Sequence, residues 1–199
     1  MRNRILASFP NSVFQNHSDS NIFIADFTKR TESVRHVEVH AIQPQCPKNN
    51  ANLMDCFKIM NPSNHDIEFN VFDDNQFKDA RGNDIIHCEG CFYPSNNQDS
   101  SWIVLLEIKD CSVKNIGRYK KDVIDKIIMT KDIFKSCGII IKHNVYGIAS
   151  FPRRNKTAFN DYILGDIITS TSLSKSHGIT FHATNKLEIS ADGRIKLLD

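Results

Sequence analysis

The sequence lacks the features that mark a membrane-spanning, secreted or low-complexity chain. No apolar run approaches the ~18 residues that a transmembrane helix requires. The N-terminus begins with basic side chains, but its apolar segment is too short and too interrupted for a secretory signal. Internal repeats, low-complexity tracts and long linkers are missing as well. These absences predict a cytoplasmic protein without a membrane partner.

Cysteine is present, but its pattern does not predict a disulfide framework. The six cysteines are scattered through 199 residues, a length that can bury a sufficient core without staples. Cys88 and Cys91 have C-x-x-C spacing, but no second short-spaced pair accompanies them. We therefore expect reduced, buried thiols. A zinc-stabilised interaction domain built around Cys88 and Cys91 is kept as a third alternative.

What the sequence does contain fits one globular domain. It is 40% hydrophobic and 24% charged, which is ordinary for a soluble fold. The net charge of +2 is unevenly distributed, with −4 over residues 1–100 and +6 over residues 101–199. The basic second half predicts a surface that faces a polyanion, although a solvated helix face balanced by acidic loops explains the charge equally well.

Hydrophobic periodicity divides the chain into strands and helices. Apolar runs predict strands at 21–27, 33–42, 65–72, 84–93, 102–109, 139–142 and 145–151. Apolar intervals of three and four predict a long helix over 116–134 capped by Gly138, with shorter helices at 50–60 and 159–175. A closing hairpin over 179–198 turns at Asp192-Gly193. The sum predicts an α/β fold with a mixed central β-sheet flanked by helices.

Two carboxylates stand on adjacent predicted strands. Glu107 follows the apolar run Ile103 to Leu106, and Glu89 lies on the strand before it. Buried strands seldom tolerate an ionisable group. Because alternate side chains share a face, Glu107 and Lys109 should point the same way. A hairpin between the two strands would bring Glu89 beside them.

Converging carboxylates suit a hard divalent cation such as Mg²⁺. Lys109 would then orient an attacking water or offset charge on a phosphate. The pattern predicts metal-assisted hydrolysis of a phosphodiester. A solvent-exposed ion pair at a strand end is the alternative interpretation of Glu107 and Lys109. His87, predicted on the face of Glu89, is either a further ligand or base or a structural residue.

Around these residues the sequence resembles the PD-(D/E)xK nuclease superfamily, which has the restriction-endonuclease-like fold. Members carry an acid at a strand end, a hairpin loop, an apolar strand ending in (D/E)-x-K, an amphipathic helix and another strand. Here "VLLEIK" supplies Glu107 and Lys109, a helix over 114–135 and the strand "GIIIK" follow, and Glu89 in "HCEGCF" stands where aspartate is usual. An upstream helix acid, frequent in the family, would be Asp55. The resemblance covers roughly residues 53–151.

The resemblance implies Glu89, Glu107 and Lys109 as catalytic residues, with Mg²⁺ or Mn²⁺ held at Glu89, Glu107 and Ile108. It implies a single domain, with a nuclease-like core over 51–152 between an N-terminal strand extension (1–50) and a C-terminal helix and hairpin (153–199). DNA rather than RNA is the expected substrate. Basic residues of the second half would grip the phosphate backbone: Arg118, Lys120, Lys121, Arg153 and Arg154.

A catalytically inactive relative is the alternative from another functional class. Glu89 departs from the family pattern, and the chain carries no P-loop, helicase motif or appended DNA-reading module. Such a protein would bind nucleic acid or a partner protein, beside a helicase or ATPase, in an antiviral defence or repair complex. A homodimer, in which two copies would pair to cut both strands, is kept as an alternative to a single copy.

Overall fold

The computed structural model describes residues 1–28, 36–47, 49–73, 75–79, 81–95, 102–111, 116–141, 143–153 and 167–198. The described helices are α1 (Arg2–Ser8), α2 (Ile116–Ser136) and α3 (Ile167–His177). The described strands are β1 (Val13–His17), β2 (Asn21–Asp26), β3 (Val37–His40), β4 (Gln45–Cys46), β5 (Asn49–Leu53), β6 (Phe57–Met60), β7 (Ile67–Val71), β8 (Gly90–Pro94), β9 (Trp102–Ile108), β10 (Asn144–Ser150), β11 (Thr180–Ala183), β12 (Lys186–Ile189) and β13 (Ile195–Leu197). Together they form a mixed α/β fold dominated by sheets.

The central sheet has the strand order β1-β7-β8-β9-β10-β11. Its first four strands pair antiparallel, whereas β9, β10 and β11 run parallel. Parallel neighbours need a crossover connection, and helix α2 provides it between β9 and β10. The mixed central sheet predicted from the sequence is confirmed.

A second sheet covers one face of the central sheet. Its strand order is β13-β12-β6-β2-β3, and β4 and β5 form a small separate ribbon. The apolar core between the two large sheets contains Phe57 and Leu187 on one side and Phe92 and Val104 on the other. The expectation of flanking helices is therefore wrong for this face, where a sheet does the covering.

Helix α2 belongs to the core on the other face of the central sheet. Strand β9 is buried along its whole length. Strand alternation sends Leu105 toward the core that contains Val123, Ile127 and Phe134 of α2, while Leu106 lies in the core between the sheets. Both faces of β9 are dry, so its near-continuous apolar sequence is what the fold requires.

Gly147 of β10 lets α2 approach the sheet closely. A Cβ atom at this position would lie 2.7 Å from the Ile127 Cγ2 atom and 3.0 Å from the Ile179 Cγ2 atom. Both distances are shorter than ordinary carbon contacts, so a side chain here would push the helix away. The glycine thereby fixes the height of α2 above the end of β9.

Several predicted elements are confirmed. The structure contains the long helix and the strands predicted at 21–27, 65–72, 102–109 and 145–151, with each bound shifted by at most two residues. The strand predicted at 33–42 is β3, and the helix predicted at 159–175 is α3; residues 33–35 and 159–166 lie outside the described residues. Within the predicted hairpin, β12 and β13 pair around Gly193 at φ +74°, but β11 joins the central sheet instead.

The helix predicted over 50–60 is wrong. The chain there forms β5 and β6, and in β6 the buried Phe57 and Ile59 alternate with the half-buried Lys58 and Met60. That period of two is a strand pattern, which the short apolar run left ambiguous. Asp55, expected on this helix, lies between the two strands.

The strand predicted at 139–142 is also wrong over its described residues, 139–141. Gly138 has φ +68° and ends α2, and the N–H groups of Ile139 and Ile140 both donate to the Phe134 carbonyl. Ile139 and Ile140 pack into the core under the helix. The apolar run therefore closes a helix C-terminus. No helix in the described part of the chain is long and apolar enough to cross a membrane.

Candidate active site at the end of strand β9

Glu107, the second-last residue of β9, is fully buried at 0% exposure. The alternation of β9 places it on the same face as Ile103 and Leu105, which pack against α2. Glu107 therefore cannot be the solvent-exposed member of a strand-end ion pair, which was the alternative interpretation of the sequence. A carboxylate buried this deeply has to be paired or hydrogen-bonded.

Two lysines hold one oxygen of this carboxylate. The Lys109 Nζ lies 2.8 Å from Glu107 Oε1, and the Lys126 Nζ lies 2.9 Å from the same atom. Both lysines are largely buried, with side chains 16% and 19% exposed. The predicted proximity of Glu107 and Lys109 is thus present. Lys126, contributed by α2, is a member of the site that the sequence analysis missed.

The second oxygen of Glu107 has no such partner. Glu107 Oε2 is buried and accepts no hydrogen bond from the residues that the structure describes. Buried polar atoms in native proteins are nearly always hydrogen-bonded, so an unpaired carboxylate oxygen needs an explanation. A buried oxygen of this kind is a suitable donor to a hard cation.

Asp122 brings a further carboxylate to the cluster from α2. Its Oδ2 lies 3.7 Å from the Lys109 Nζ and 3.9 Å from the Lys126 Nζ, and its side chain is 44% exposed. Asp122 is thus the acid of the cluster that reaches solvent. Asp122 and Lys126 could have been grouped from the sequence by their spacing, since residues at i and i+4 share one helix face.

Glu89 approaches the site through an irregularity rather than by regular alternation. Gly90 pairs with Leu106, yet the Glu89 N–H also donates to the Leu106 carbonyl at 3.0 Å. Glu89 therefore bonds to β9 from just outside β8, which begins at Gly90, so regular strand alternation does not set the direction of its side chain. The predicted strand 84–93 is wrong over residues 84–89, and the inferred common face of Ile85, His87 and Glu89 does not hold.

Glu89 nonetheless acts on the same lysine. It is only 6% exposed. Burial by itself would lower the pKa of Lys109, but the charge and hydrogen bond of Glu107 and the charge of Glu89 outweigh burial and raise the pKa above its usual value. Lys109 is consequently a firmly protonated ammonium group between acidic side chains.

Ile108 takes part in the site only through its backbone. Its side chain is fully buried in the core between the sheets. The register pairs Ile108 with Ser150 of β10, and the next N–H, of Lys109, donates to the Ser150 carbonyl at 2.9 Å. This pairing anchors the backbone on which Glu107 and Lys109 are carried.

The chemistry of these donors fits Mg²⁺ or Mn²⁺. Both ions prefer carboxylate and carbonyl oxygens, and Mg²⁺ commonly uses one or two carboxylates with water completing its shell. The unpaired Glu107 Oε2 supplies the required free donor. No group of three or more His, Cys, Asp or Glu side chains in the described part of the chain is arranged to hold a metal ion. The fit is therefore to a sparsely ligated, hydrated ion.

The histidine and the two cysteines of the "HCEGC" segment are buried and packed into the fold. The His87 ring is 5% exposed and stacks on Phe77 with centroids 4.5 Å apart. Cys88 and Cys91 are both buried, and the Cys88 thiol donates to the Gly90 carbonyl at 3.4 Å. Burial, with smaller contributions from Cys88 and Glu68, raises the pKa of the Cys91 thiol well above its usual value. That environment disfavours the thiolate which zinc binding requires.

The basic residues proposed to grip a phosphate backbone differ in their surroundings. Arg118 and Lys121 are exposed on the first turns of α2, and Lys120 is half-buried. The Lys109 Nζ lies 5.8 Å from the centre of the Tyr119 ring, so these turns flank the site. Arg154 lies outside the described residues.

Arg153 is engaged in an ion pair. Its Nε donates to Asp110 Oδ1 and its Nη2 donates to Asp110 Oδ2 at 2.8 Å. Asp110 is 3% exposed and directly follows Lys109 in the chain. The guanidinium thus binds the end of β9, an arrangement that the sequence analysis did not predict.

No protein-family model, curated protein or solved structure matches this chain. The geometry at the end of β9 is therefore the ground on which a function is proposed.

Proposed function

We propose that the protein is a metal-dependent nuclease whose site is built on Glu107, Lys109 and Glu89. The observation that supports this proposal most strongly is the fully buried Glu107 carboxylate, with one oxygen held by lysine and the other unpaired. A buried polar atom without a hydrogen bond is unusual in a folded protein. A carboxylate that keeps one buried oxygen available beside a cationic side chain is suited to metal-assisted phosphodiester hydrolysis.

Glu107 Oε2 would hold the ion, with the Ile108 carbonyl and Glu89 as the neighbouring oxygen donors. Mg²⁺ or Mn²⁺ would supply Lewis acidity to the phosphoryl group and lower the pKa of water for attack. The ordering of this donor set comes from β9, whose parallel pairing with β10 extends through Ile108 and Ser150. A rigid strand holds such donors more accurately than a loop does.

Lys109 would act as an electrostatic group. Because its pKa is raised, its ammonium stays protonated near neutral pH and is not a general base. Facing a phosphodiester, it would stabilise the negative charge that develops on the phosphoryl oxygens. Its position two residues after Glu107 keeps the ammonium and the carboxylate on one face of the strand.

The substrate would approach along the first turns of α2. Arg118 and Lys121 are exposed there, and Tyr119 between them contacts the Lys109 ammonium through its ring. Side chains of this type bind phosphates without reading the base sequence. We propose DNA as the substrate, with RNA as a comparison in the assay.

A cleavage assay with matched variants tests this function. Purified wild type and Lys109→Ala are each incubated with Mg²⁺ or Mn²⁺ and plasmid, single-stranded DNA or RNA. The control is Lys135→Ala, which removes an exposed lysine from the last turn of α2. We expect cleavage by the wild type and the control and none by Lys109→Ala. Absence of cleavage with every substrate and metal, or equal cleavage by Lys109→Ala, would contradict the proposal.

The burial of Glu107 favours a second candidate, a nuclease-like subunit without activity. Two ammonium groups cover the carboxylate and already neutralise its charge. Such a protein would use its basic surface to bind nucleic acid or a partner, for example a helicase or ATPase in a defence or repair complex. Titration of the wild type and Glu107→Ala with Mn²⁺ separates the two candidates. An active site should bind Mn²⁺ in the wild type and lose this binding in Glu107→Ala. An inactive site should show no difference between the wild type and the variant.

A further inference from the structure

Two cations are paired with Glu107 Oε1. The ammonium groups of Lys109 and Lys126 lie 2.8 and 2.9 Å from the same oxygen. One oxygen has lone pairs for two donors, so both hydrogen bonds can exist together. The two ammonium groups repel each other, and Asp122 Oδ2, 3.7 and 3.9 Å from them, offsets part of this repulsion. Glu107 therefore has a second cation if one lysine moves away.

The backbone at Lys126 is tied to the segment that carries Glu89. Lys126 lies within α2, and its carbonyl accepts a hydrogen bond from the fully buried Thr130 hydroxyl at 2.8 Å. The Thr130 oxygen in turn accepts the Cys88 N–H at 2.9 Å. This chain of bonds ties the helix turn that carries Lys126 to the segment that carries Glu89.

Lys109 instead directly follows the end of β9. Its ammonium contacts Glu107 and Asp122 and lies near the Tyr119 ring. This ring belongs to the first turns of α2, which carry the exposed Arg118 and Lys121. A phosphate bound along those turns would therefore meet Lys109 first.

We propose that Lys126 is a positioning residue that keeps Glu107 paired when Lys109 turns toward a phosphate. A buried carboxylate that loses its only cation is strongly destabilised. With Lys126 in place, Lys109 can exchange Glu107 for a phosphoryl oxygen without leaving the carboxylate unpaired. Without Lys126, Lys109 would be held on Glu107. The catalytic use of this exchange rests on the proposed nuclease function, whereas the pairing itself does not.

Amine labelling tests the pairing independently of activity. The full-length protein is treated with acetic anhydride at alkaline pH, and the labelling rate of Lys109 is measured by mass spectrometry. Removing the neighbouring positive charge in Lys126→Met should leave Lys109 as the sole partner of Glu107 and slow its labelling by about threefold to tenfold. Lys126→Arg should stay within about twofold of the wild type, because arginine keeps the second cation. Lys135→Met should match the wild type.

Unchanged or faster labelling of Lys109 in Lys126→Met would overturn the proposal. If circular dichroism shows that Lys126→Met is unfolded, Lys126→Gln carries the same expectation, because it keeps a hydrogen-bond donor and removes the charge. Where the wild type cleaves nucleic acid, Lys126→Met should lower kcat with little change in KM, and Lys126→Arg should restore kcat. A wild type that cleaves nothing contradicts the proposed function, while the labelling result still decides the role of Lys126.

Discussion

Two buried acids stand three residues apart at the end of β9 and are treated in opposite ways. Asp110 is 3% exposed, and both of its oxygens are bound by the Arg153 guanidinium. Glu107 is 0% exposed, with two lysines on Oε1 and no partner on Oε2. Both oxygens of Asp110 are therefore hydrogen-bonded, whereas Glu107 keeps one oxygen without a hydrogen bond from the described residues.

The saturated pair has a structural explanation. Bidentate arginine–carboxylate pairs are geometrically specific and engage both carboxylate oxygens. Asp110 follows β9 and Arg153 follows β10, so their pair clamps the ends of two parallel strands. The unsaturated Glu107 has no equivalent explanation in folding, because an unpaired buried oxygen is unfavourable. The nuclease function proposed above would use this oxygen as a metal ligand.

The largest effect should come from Glu107→Gln. Glutamine keeps the size of the side chain and an oxygen for the lysines, but it removes the charge that binds a metal. Residues that merely orient metal ligands contribute about 10- to 100-fold, so loss of a ligand should reduce cleavage by at least about 100-fold. Cleavage rate and Mn²⁺ affinity are the measurements, with the thermal midpoint as a check of folding. Cleavage within about tenfold of the wild type would exclude Glu107 as a metal ligand.

Asp110→Asn should have the opposite effect to Glu107→Gln. It should lower the stability of the protein and leave the candidate active site of the folded protein intact. Removing one member of a fully buried ion pair costs roughly 3–5 kcal/mol, and the side chain of Arg153 is 32% exposed, which weakens the pair through solvent screening. We expect about 2 kcal/mol of lost unfolding free energy in a denaturant titration. If the variant is as stable as the wild type but inactive, Asp110 belongs to the active site and the comparison fails.

The residues of the candidate site could be predicted from the sequence to different extents. Glu107 and Lys109 could be placed together because β9 is regular, and alternation then decides their common face. Alternation failed at Glu89, which lies just before β8 and bonds to the Leu106 carbonyl from outside the strand. The first paired residue of a strand is set by its neighbouring strands, which a single apolar pattern does not encode.

Long-range pairing explains the other omissions. Lys126 reaches Glu107 from α2, which lies close to the sheet at Gly147, and the periodicity of a helix does not indicate which strand residue it meets. Arg153 read as a free phosphate-binding cation because Asp110, its partner, lies 43 positions earlier. The second sheet was missed for the same reason, since it combines β2, β6 and β12 from distant parts of the chain.

A smaller effect should distinguish the two acids at alkaline pH. Glu107 is held by lysines, which titrate, whereas Asp110 is held by an arginine, which does not lose its proton in this range. Lys109 has a raised pKa in the folded protein, so above its unfolded value of about 10.4 the unfolded chain releases a proton that the folded chain retains. The stability that Lys109 contributes is complete below that pH and is lost as the pH rises toward the folded pKa.

Unfolding free energy measured from pH 8 to 11.5 should therefore fall less steeply above about pH 10.4 in Lys109→Met than in the wild type. Two variants serve as controls. Lys135→Met removes an exposed lysine and should keep the wild-type slope, and Asp110→Asn should be less stable at every pH with the slope unchanged. An alkaline slope that is the same in Lys109→Met and the wild type would mean that the lysine is not paired with Glu107 in solution. A changed slope in Asp110→Asn would mean that the two acids are coupled, and the clamp and the candidate site would then have to be treated as one unit.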